Sequence, residues 1–351
     1  MNLTPYLKLM IEKGASDLFF TSGTTVRMKL DGRLAVVGKE LLTAEMIDQA
    51  AQGIMDEAQF AFYKKNLEID FAIALGDEGR FRVNAFHQKN QPALVLRYIR
   101  SQIPTLEDLK VPPVLAELIL NKRGLLLMVG GTGSGKSTTL AAMVDHRNSS
   151  IGGHILTIED PVEFVHPHKK SIVNQREVGI DTHSYAKALK SSLREAPDVI
   201  LIGEIRDRET MEAAMELAGT GHLAISTLHA NNAYQALTRI INMFPQTLHP
   251  QLFMDLSLYL RAILSQRLVP SLDGKRRAAV EVMINTPHIA ELILKGEIDA
   301  IKESMAATGV KGMQTFDQAL FNLYQEGAVS MEEALNSADS RANLEAKIHF
   351  G

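Results

Sequence analysis

GGTGSGKS, residues 130–137, follows the apolar run Leu125-Leu126-Leu127-Met128-Val129 and leads into Thr138-Thr139-Leu140-Ala141-Ala142. Its spacing is G-x-x-x-x-G-K-[ST], with Gly130, Gly135, Lys136 and Ser137 at the defined positions. Glycines let backbone amides turn inward around phosphate oxygens, and Lys136 adds a point charge at the β and γ positions. The Ser137 hydroxyl is the expected Mg²⁺ ligand, and the following helix aims its N-terminal amides at the same anion. The bland alternative is a glycine-rich turn between a strand and a helix. The flanks favour a phosphate loop, because a buried strand precedes it and a helical pattern follows. Gly130, Gly131, Thr132, Gly133, Ser134, Gly135, Lys136, Ser137 and Thr138 are therefore the nucleotide-binding candidates.

Around this loop the chain alternates. LLLMV (125–129), HILTI (154–158), VILIG (199–203) and HLAIST (222–227) read as strands. Helical patterns begin at 136 and run near 184–195 and 209–218. That alternation implies α/β architecture, a parallel sheet with crossover helices. After AAVEVMI (278–284) the chain looks helical almost to its end. Upstream, VRMKLDGRLAVV (26–37) reads as two strands about a turn at Asp31-Gly32, and 44–65 has helical spacing. IDFAIAL (69–75) and RFRVNAFHQ (80–88) alternate as a hairpin joined by Gly76-Asp77-Glu78-Gly79, and ALVLRYI (93–99) makes a further strand. The expected division is a small mixed domain over 1–100, a linker over 101–112, an α/β core carrying the phosphate loop over 113–285 and a helical region over 286–351.

Composition bounds the function. With 351 residues, 46% hydrophobic and 22% charged, the chain is long enough for about two globular domains. Lys plus Arg count 37 against 41 for Asp plus Glu, a net charge of -4, which argues against a nucleic-acid binder. There are no cysteines, so disulfides and thiolate metal sites are excluded. No secretory h-region opens the chain, and no uncharged stretch approaches the roughly 18 residues of a membrane span. A cytosolic protein is expected.

Hydrolysis needs carboxylates beside the phosphates to hold Mg²⁺ and orient water. Glu204 follows the strand VILIG and is the Walker B candidate, while Asp198 lies at the strand's other end and reads as structural. Glu159, Asp160 and Glu163 follow HILTI, where open α/β sheets bind ligands. One of them is the expected general base, and spacing alone does not choose between Glu159 and Glu163. His222 and His229 bracket HLAISTLH, and their odd separation argues against a joint metal site. Arg80, Arg82 and Arg97 are either solvated edge-strand residues or arginine fingers for a neighbouring subunit. Arg206 and Asp207 are expected to pair with each other.

The ordered blocks GGTGSGKST, TIEDPVEF, PDVILIGEIRD and GTGHLAISTLHANNA resemble the Walker A, Asp box, Walker B and His box of the secretion and type IV pilus ATPase superfamily. Within it the chain looks most like the PilT/PilU retraction ATPases, being short and without a tetracysteine zinc site. The resemblance implies a RecA-like ATPase core with a PAS-like N-terminal domain, binding ATP and Mg²⁺. It implies Lys136, Ser137 and Glu204 as phosphate and metal ligands and Glu163 as base. Glu159 and Asp160 become further Asp-box residues, and His222 and His229 γ-phosphate sensors or interface residues. Arg82, Arg97 and Arg80 become contacts made in trans. It also implies a homohexameric motor peripheral to the inner membrane, partnered by a pilus platform protein and a paralogous retraction ATPase. One stretch departs from the family: PHIAELILKGEIDAIKES (287–304) lacks the two arginines of the AIRNLIRE-like helix. With the polar tail SMEEALNSADSRANLEAKIHF (330–350), this leans towards the PilU branch and raises an accessory, ATP-binding role as the second reading.

Overall fold

The computed structural model describes residues 1–350 apart from Asp31, Asp77, Arg100, Ser101 and Thr308. The chain divides into two compact units, Met1–Gln102 with Glu163–Val165, and Ile103–Val162 with His166–Gly351. Asp31 and Asp77, in the two expected turns, and Ser101, in the expected linker, lie outside the described residues.

The first unit holds helices α1 (Thr4–Lys13), α2 (Ala44–Ile54) and α3 (Glu57–Asn66) and six strands. These are β1 (Asp17–Thr21), β2 (Arg27–Leu30), β3 (Arg33–Val36), β4 (Glu68–Leu75), β5 (Gly79–Gln88) and β6 (Gln91–Ile99). They form an antiparallel sheet in the order β3-β2-β1-β6-β5-β4. Alternation along β5 buries Phe81, Val83 and Ala85, which pack with Met10, Phe20, Ile47 and Tyr63. Arg80, Arg82 and Asn84 take the opposite face, as a period of two requires. The helical run 44–65 is two helices, because Asp56 and Gln59 close a capping box that starts a new one. Strand β1 and helix α1 were not anticipated.

The second unit is built on seven strands: β7 (Gly124–Val129), β8 (Gly153–Glu159), β9 (Ser171–Glu177), β10 (Val199–Ile202), β11 (Leu223–Leu228), β12 (Leu260–Pro270) and β13 (Arg276–Ile284). Their order is β13-β12-β7-β11-β10-β8-β9, parallel throughout except for β13. Its helices are α4 (Leu106–Leu109), α5 (Val114–Ile119), α6 (Lys136–Ser150), α7 (Tyr185–Ser192), α8 (Arg208–Gly219) and α9 (Ala233–Asn242). They continue as α10 (His249–Tyr259), α11 (Pro287–Lys295), α12 (Ile301–Ala307), α13 (Phe316–Gln325), α14 (Met331–Ser337) and α15 (Arg341–Phe350). Every residue of β7 and β10 is buried, which is why both read as continuous apolar runs. Leu125, Leu127 and Val129 of β7 enter one core layer with Ile202, Leu217 and Ala224. Leu126 and Met128 enter the opposite layer with Leu140, Met143 and Val144 of α6. This two-sided burial fixes β7 centrally and so fixes the loop that follows it.

The stretch expected as linker carries α4, closed by a capping box between Thr105 and Asp108. Helices α11 and α12 lend Ile289, Ile293 and Ile301 to the layer that covers the sheet. Among the described residues no helix is long and apolar enough to cross a membrane.

Candidate functional site

The loop leaves the carboxyl end of β7 in conformations suited to glycine. Gly130 has φ 153° and Gly135 φ 84°. A β-carbon on Gly130 would stand 2.5 Å from the carbonyl oxygen of Gln266 and 2.5 Å from Ser134 Oγ. On Gly135 it would meet Gln266 Nε2 at 2.8 Å. The backbone is thus pressed against β12 and free of side chains where an anion would approach. Lys136 Nζ donates to the carbonyls of Gly130 and Gly131 at 2.8 and 2.9 Å. Burial lowers its pKa, opposed by the Glu204 carboxylate. The Ser134 hydroxyl is buried without a hydrogen-bond partner, and Ser137 stands exposed on the first turn of α6. A cradle lacking side chains, an orphaned hydroxyl and a partly desolvated ammonium fit a polyphosphate.

Gln266, which sequence reasoning missed, locks this loop. It is 2% exposed, donates from Nε2 to the Ser134 carbonyl at 2.8 Å and accepts from the Thr139 hydroxyl at 2.8 Å.

Glu204 stands two residues beyond β10. The turn carrying it is tied to β11, with Thr227 Oγ1 donating to the Gly203 carbonyl at 2.6 Å and Ile205 N to the Thr227 carbonyl at 2.9 Å. These bonds bring the Glu204 carboxylate to 3.2 Å from His229 Nε2, at the end of the neighbouring strand. Arg206 Nε donates to the same carboxylate at 2.8 Å, and this bond raises the arginine's pKa. The expected Arg206–Asp207 pair is therefore replaced: Asp207 caps α8 through the amide of Thr210. Asp198 is structural as expected, accepting from His154 N at the sheet's other edge.

The Asp-box carboxylates separate. Glu159 is buried, accepting from the Thr157 hydroxyl at 2.6 Å and from the Gln175 amide at 3.3 Å. Asp160 is exposed. Tyr185 was not anticipated either; a β-carbon on Gly203 would meet its phenol oxygen at 2.7 Å. Burial first, then Asp160 and Glu159, push that phenol's pKa up.

Glu163 groups with the first unit, as do Arg80, Arg82 and Arg97, and none of the four belongs to the unit carrying the phosphate loop. Strands β5 and β6 are interior, so these arginines are not on a sheet edge. Arg82 and Arg97 stand opposite each other across that pair. Arg97 Nε donates to Asp17 at 2.9 Å, and Arg82 lies 3.6 Å from Asp70. His222 lies away from the phosphate loop of its own chain. It sits at the amino end of β11, 3.2 Å from both the Thr220 hydroxyl and the Leu217 carbonyl. Six strand residues separate it from the His229 end, about 20 Å at 3.3 Å each.

A cleft of about 510 Å³ opens between the loop at Gly130-Gly131 and the start of α9, lined by His229, Tyr234 and Arg239. Another, of about 320 Å³, lies across the loop between Gly135, Thr138, Leu268 and Arg277. Among the described residues no cluster of His, Asp and Glu could hold a metal by itself. Ser137 and Glu204 offer oxygen donors of the kind Mg²⁺ takes when phosphates complete its shell.

Residues 2–344 match the family described as type II/IV secretion system protein. The chain is 53% identical over 352 residues, all of it and 92% of the relative, to the type IV pilus ATPase PilU of Pseudomonas aeruginosa. It is 40% identical over 344 residues, 98% of this chain and all of the other, to the type IV pilus retractation ATPase PilT of the same bacterium. The crystal structure of the pilus retraction motor PilT with bound ADP aligns with a TM-score of 0.91 at 40% identity, covering 98% of this chain and 99% of that one. The ATPase DotB of Legionella pneumophila aligns at 0.78 and 25% identity, covering 95% and 94%.

Proposed function

The chain belongs to the type II/IV secretion system protein family and within it to the PilT/PilU ATPases, and from that membership we propose that it is a motor converting ATP hydrolysis into type IV pilus retraction. The observation that carries this is the meeting of Lys136, Glu204 and His229 beside a loop shaped for phosphate. On binding ATP, Lys136 exchanges its two loop carbonyls for phosphate oxygens, and the amides opening α6 complete the cradle. Ser137 and Glu204 would hold Mg²⁺, which would supply charge neutralisation to the polyphosphate. The base and sugar enter the cleft beside Thr138 and Leu268.

Glu163 takes the proton of the attacking water, and His229 orients Glu204 towards the γ-phosphate. Arg80, Arg82 and Arg97 reach the nucleotide of a neighbouring subunit. Their place in a unit apart from the phosphate loop supports this reading. Head-to-tail contacts that close then give a ring, here of six. The ring works in the cytoplasm at the inner-membrane base of the pilus.

The test is the steady-state ATPase rate with Mg²⁺, alongside Lys136→Ala, followed by complementation of twitching in a strain lacking its retraction ATPases. Turnover lost in the variant and restored twitching support the motor. An accessory role is the second reading, favoured by 53% identity to PilU against 40% to PilT. Twitching restored only when a PilT-type partner is also present would select it.

A further inference from the structure

The turn that follows His229 is held from the far end of the chain. Arg267, next to Gln266 on β12, donates from Nη2 to the Asn231 carbonyl at 3.2 Å and to Asp339 Oδ1 at 2.6 Å. Its Nη1 donates to the Ser337 carbonyl at 2.9 Å, and its guanidinium lies 3.9 Å above the ring of Phe316. The other oxygen of Asp339 accepts from Asn232 Nδ2 at 3.4 Å and pairs with Lys302 at 3.4 Å. Asn232 in turn caps α9 through the Gln235 amide at 3.0 Å. Beneath it, the buried Glu281 accepts from the Ala233 amide at 2.7 Å and from the Ser265 hydroxyl at 3.0 Å. Asp339 is itself fixed, its amide donating to Asp317 at 2.8 Å.

One largely buried carboxylate between α14 and α15 therefore touches two of the side chains that hold residues 231–233, Arg267 and Asn232. The hydrolytic reading of the site, on which this rests, requires His229 to hold Glu204 in place. A turn free to shift by an ångström would loosen that contact, and misplacement on this scale is costly to a reaction. The Arg267–Asp339 pair is only about a tenth exposed on the carboxylate side, so solvent screens it weakly. We propose that Asp339 is a positioning residue for ATP hydrolysis, holding the His229 turn through Arg267 and Asn232 and so making turnover depend on the C-terminal helices.

Asp339→Asn keeps the size and removes the charge. Turnover should fall about tenfold, while the Kd for ADP stays within about twofold, because Gln266 and the loop are untouched. Amides of residues 230–236 should exchange with deuterium faster, those of 126–142 at the parental rate, and Asp339→Glu should recover part of the rate. In a His229→Ala background the same substitution should cost no more than about a further twofold. Unchanged turnover, or an equal loss with and without His229, overturns the proposal, as does unaltered protection at 230–236. Were the parent to bind ADP without turning over ATP, the hydrolytic reading alone would fail. The exchange measurement needs no turnover and judges Asp339 independently, with Arg267→Lys as a second variant expected to loosen the same amides.

Discussion

Gln266 bridges Ser134 and Thr139, donating to the carbonyl of the first and accepting from the hydroxyl of the second, each at 2.8 Å. A single strand side chain thus pins both the glycine loop and the first turn of α6. Gln266→Leu keeps the volume but orphans a buried carbonyl and a buried hydroxyl. Leaving such groups unpaired costs about 2 kcal/mol of stability, and a loosened loop should raise the Kd for ADP about tenfold. Thermal denaturation and calorimetric titration read the two effects. Parental affinity in the variant would mean the loop holds its shape without β12.

Glu204 faces Arg206, His229 and, through space, Lys136, so its charge is the hub of the carboxyl edge. Glu204→Gln preserves shape and one acceptor oxygen but loses the charge needed for Mg²⁺ and for orienting water. Turnover should fall by about 100-fold or more, with ADP binding retained because the loop amides and Lys136 remain. Turnover at the parental level would reduce Glu204 to a surface partner of Arg206.

Much of this edge was legible beforehand because its determinants are local. The glycine spacing at 130–135 reports backbone conformation directly, and the runs at 125–129 and 199–202 report burial on both faces. The parallel strand order also bears on the histidines. Leu223 of β11 pairs with Gly124 of β7, so His222 must lie at the edge opposite the loop. What stayed hidden depends on distant partners. Strand β12 carries Ser265 and Gln266 buried among apolar neighbours, and nothing in LRAILSQRLVP signals that the loop and Glu281 satisfy them. The inward turn of Glu159 likewise depends on Gln175, sixteen positions away.

The two His-box histidines should separate experimentally. His229→Ala removes a contact to Glu204 and should lower turnover about tenfold to 100-fold with binding intact. Among the described residues, His222→Ala breaks contacts to Thr220 and Leu217, away from the loop, so single-site ADP affinity should hold within about twofold. Titration calorimetry with ADP and steady-state rates discriminate the pair. A large affinity loss in the His222 variant would contradict its position at the far edge.

His166 should make the fold acid-sensitive. The residue is 7% exposed, and Nδ1 is buried without a hydrogen-bond partner. Burial drives its pKa down to about 4; Lys169 adds to this and Asp145 opposes it. The unfolded chain takes up the proton near the ordinary value of about 6.5, while the folded chain resists it. Between these two values the unfolded state binds more protons, so stability falls as the pH drops through that window and levels off below it. For a depression of this size the full loss is on the order of 3 kcal/mol. His166→Leu removes the group and fills its space. Urea denaturation at about pH 7 and about pH 5 should therefore show a smaller acid-induced drop in the variant than in the parent. Equal drops would mean that His166 is protonated in the folded chain as readily as in the unfolded one.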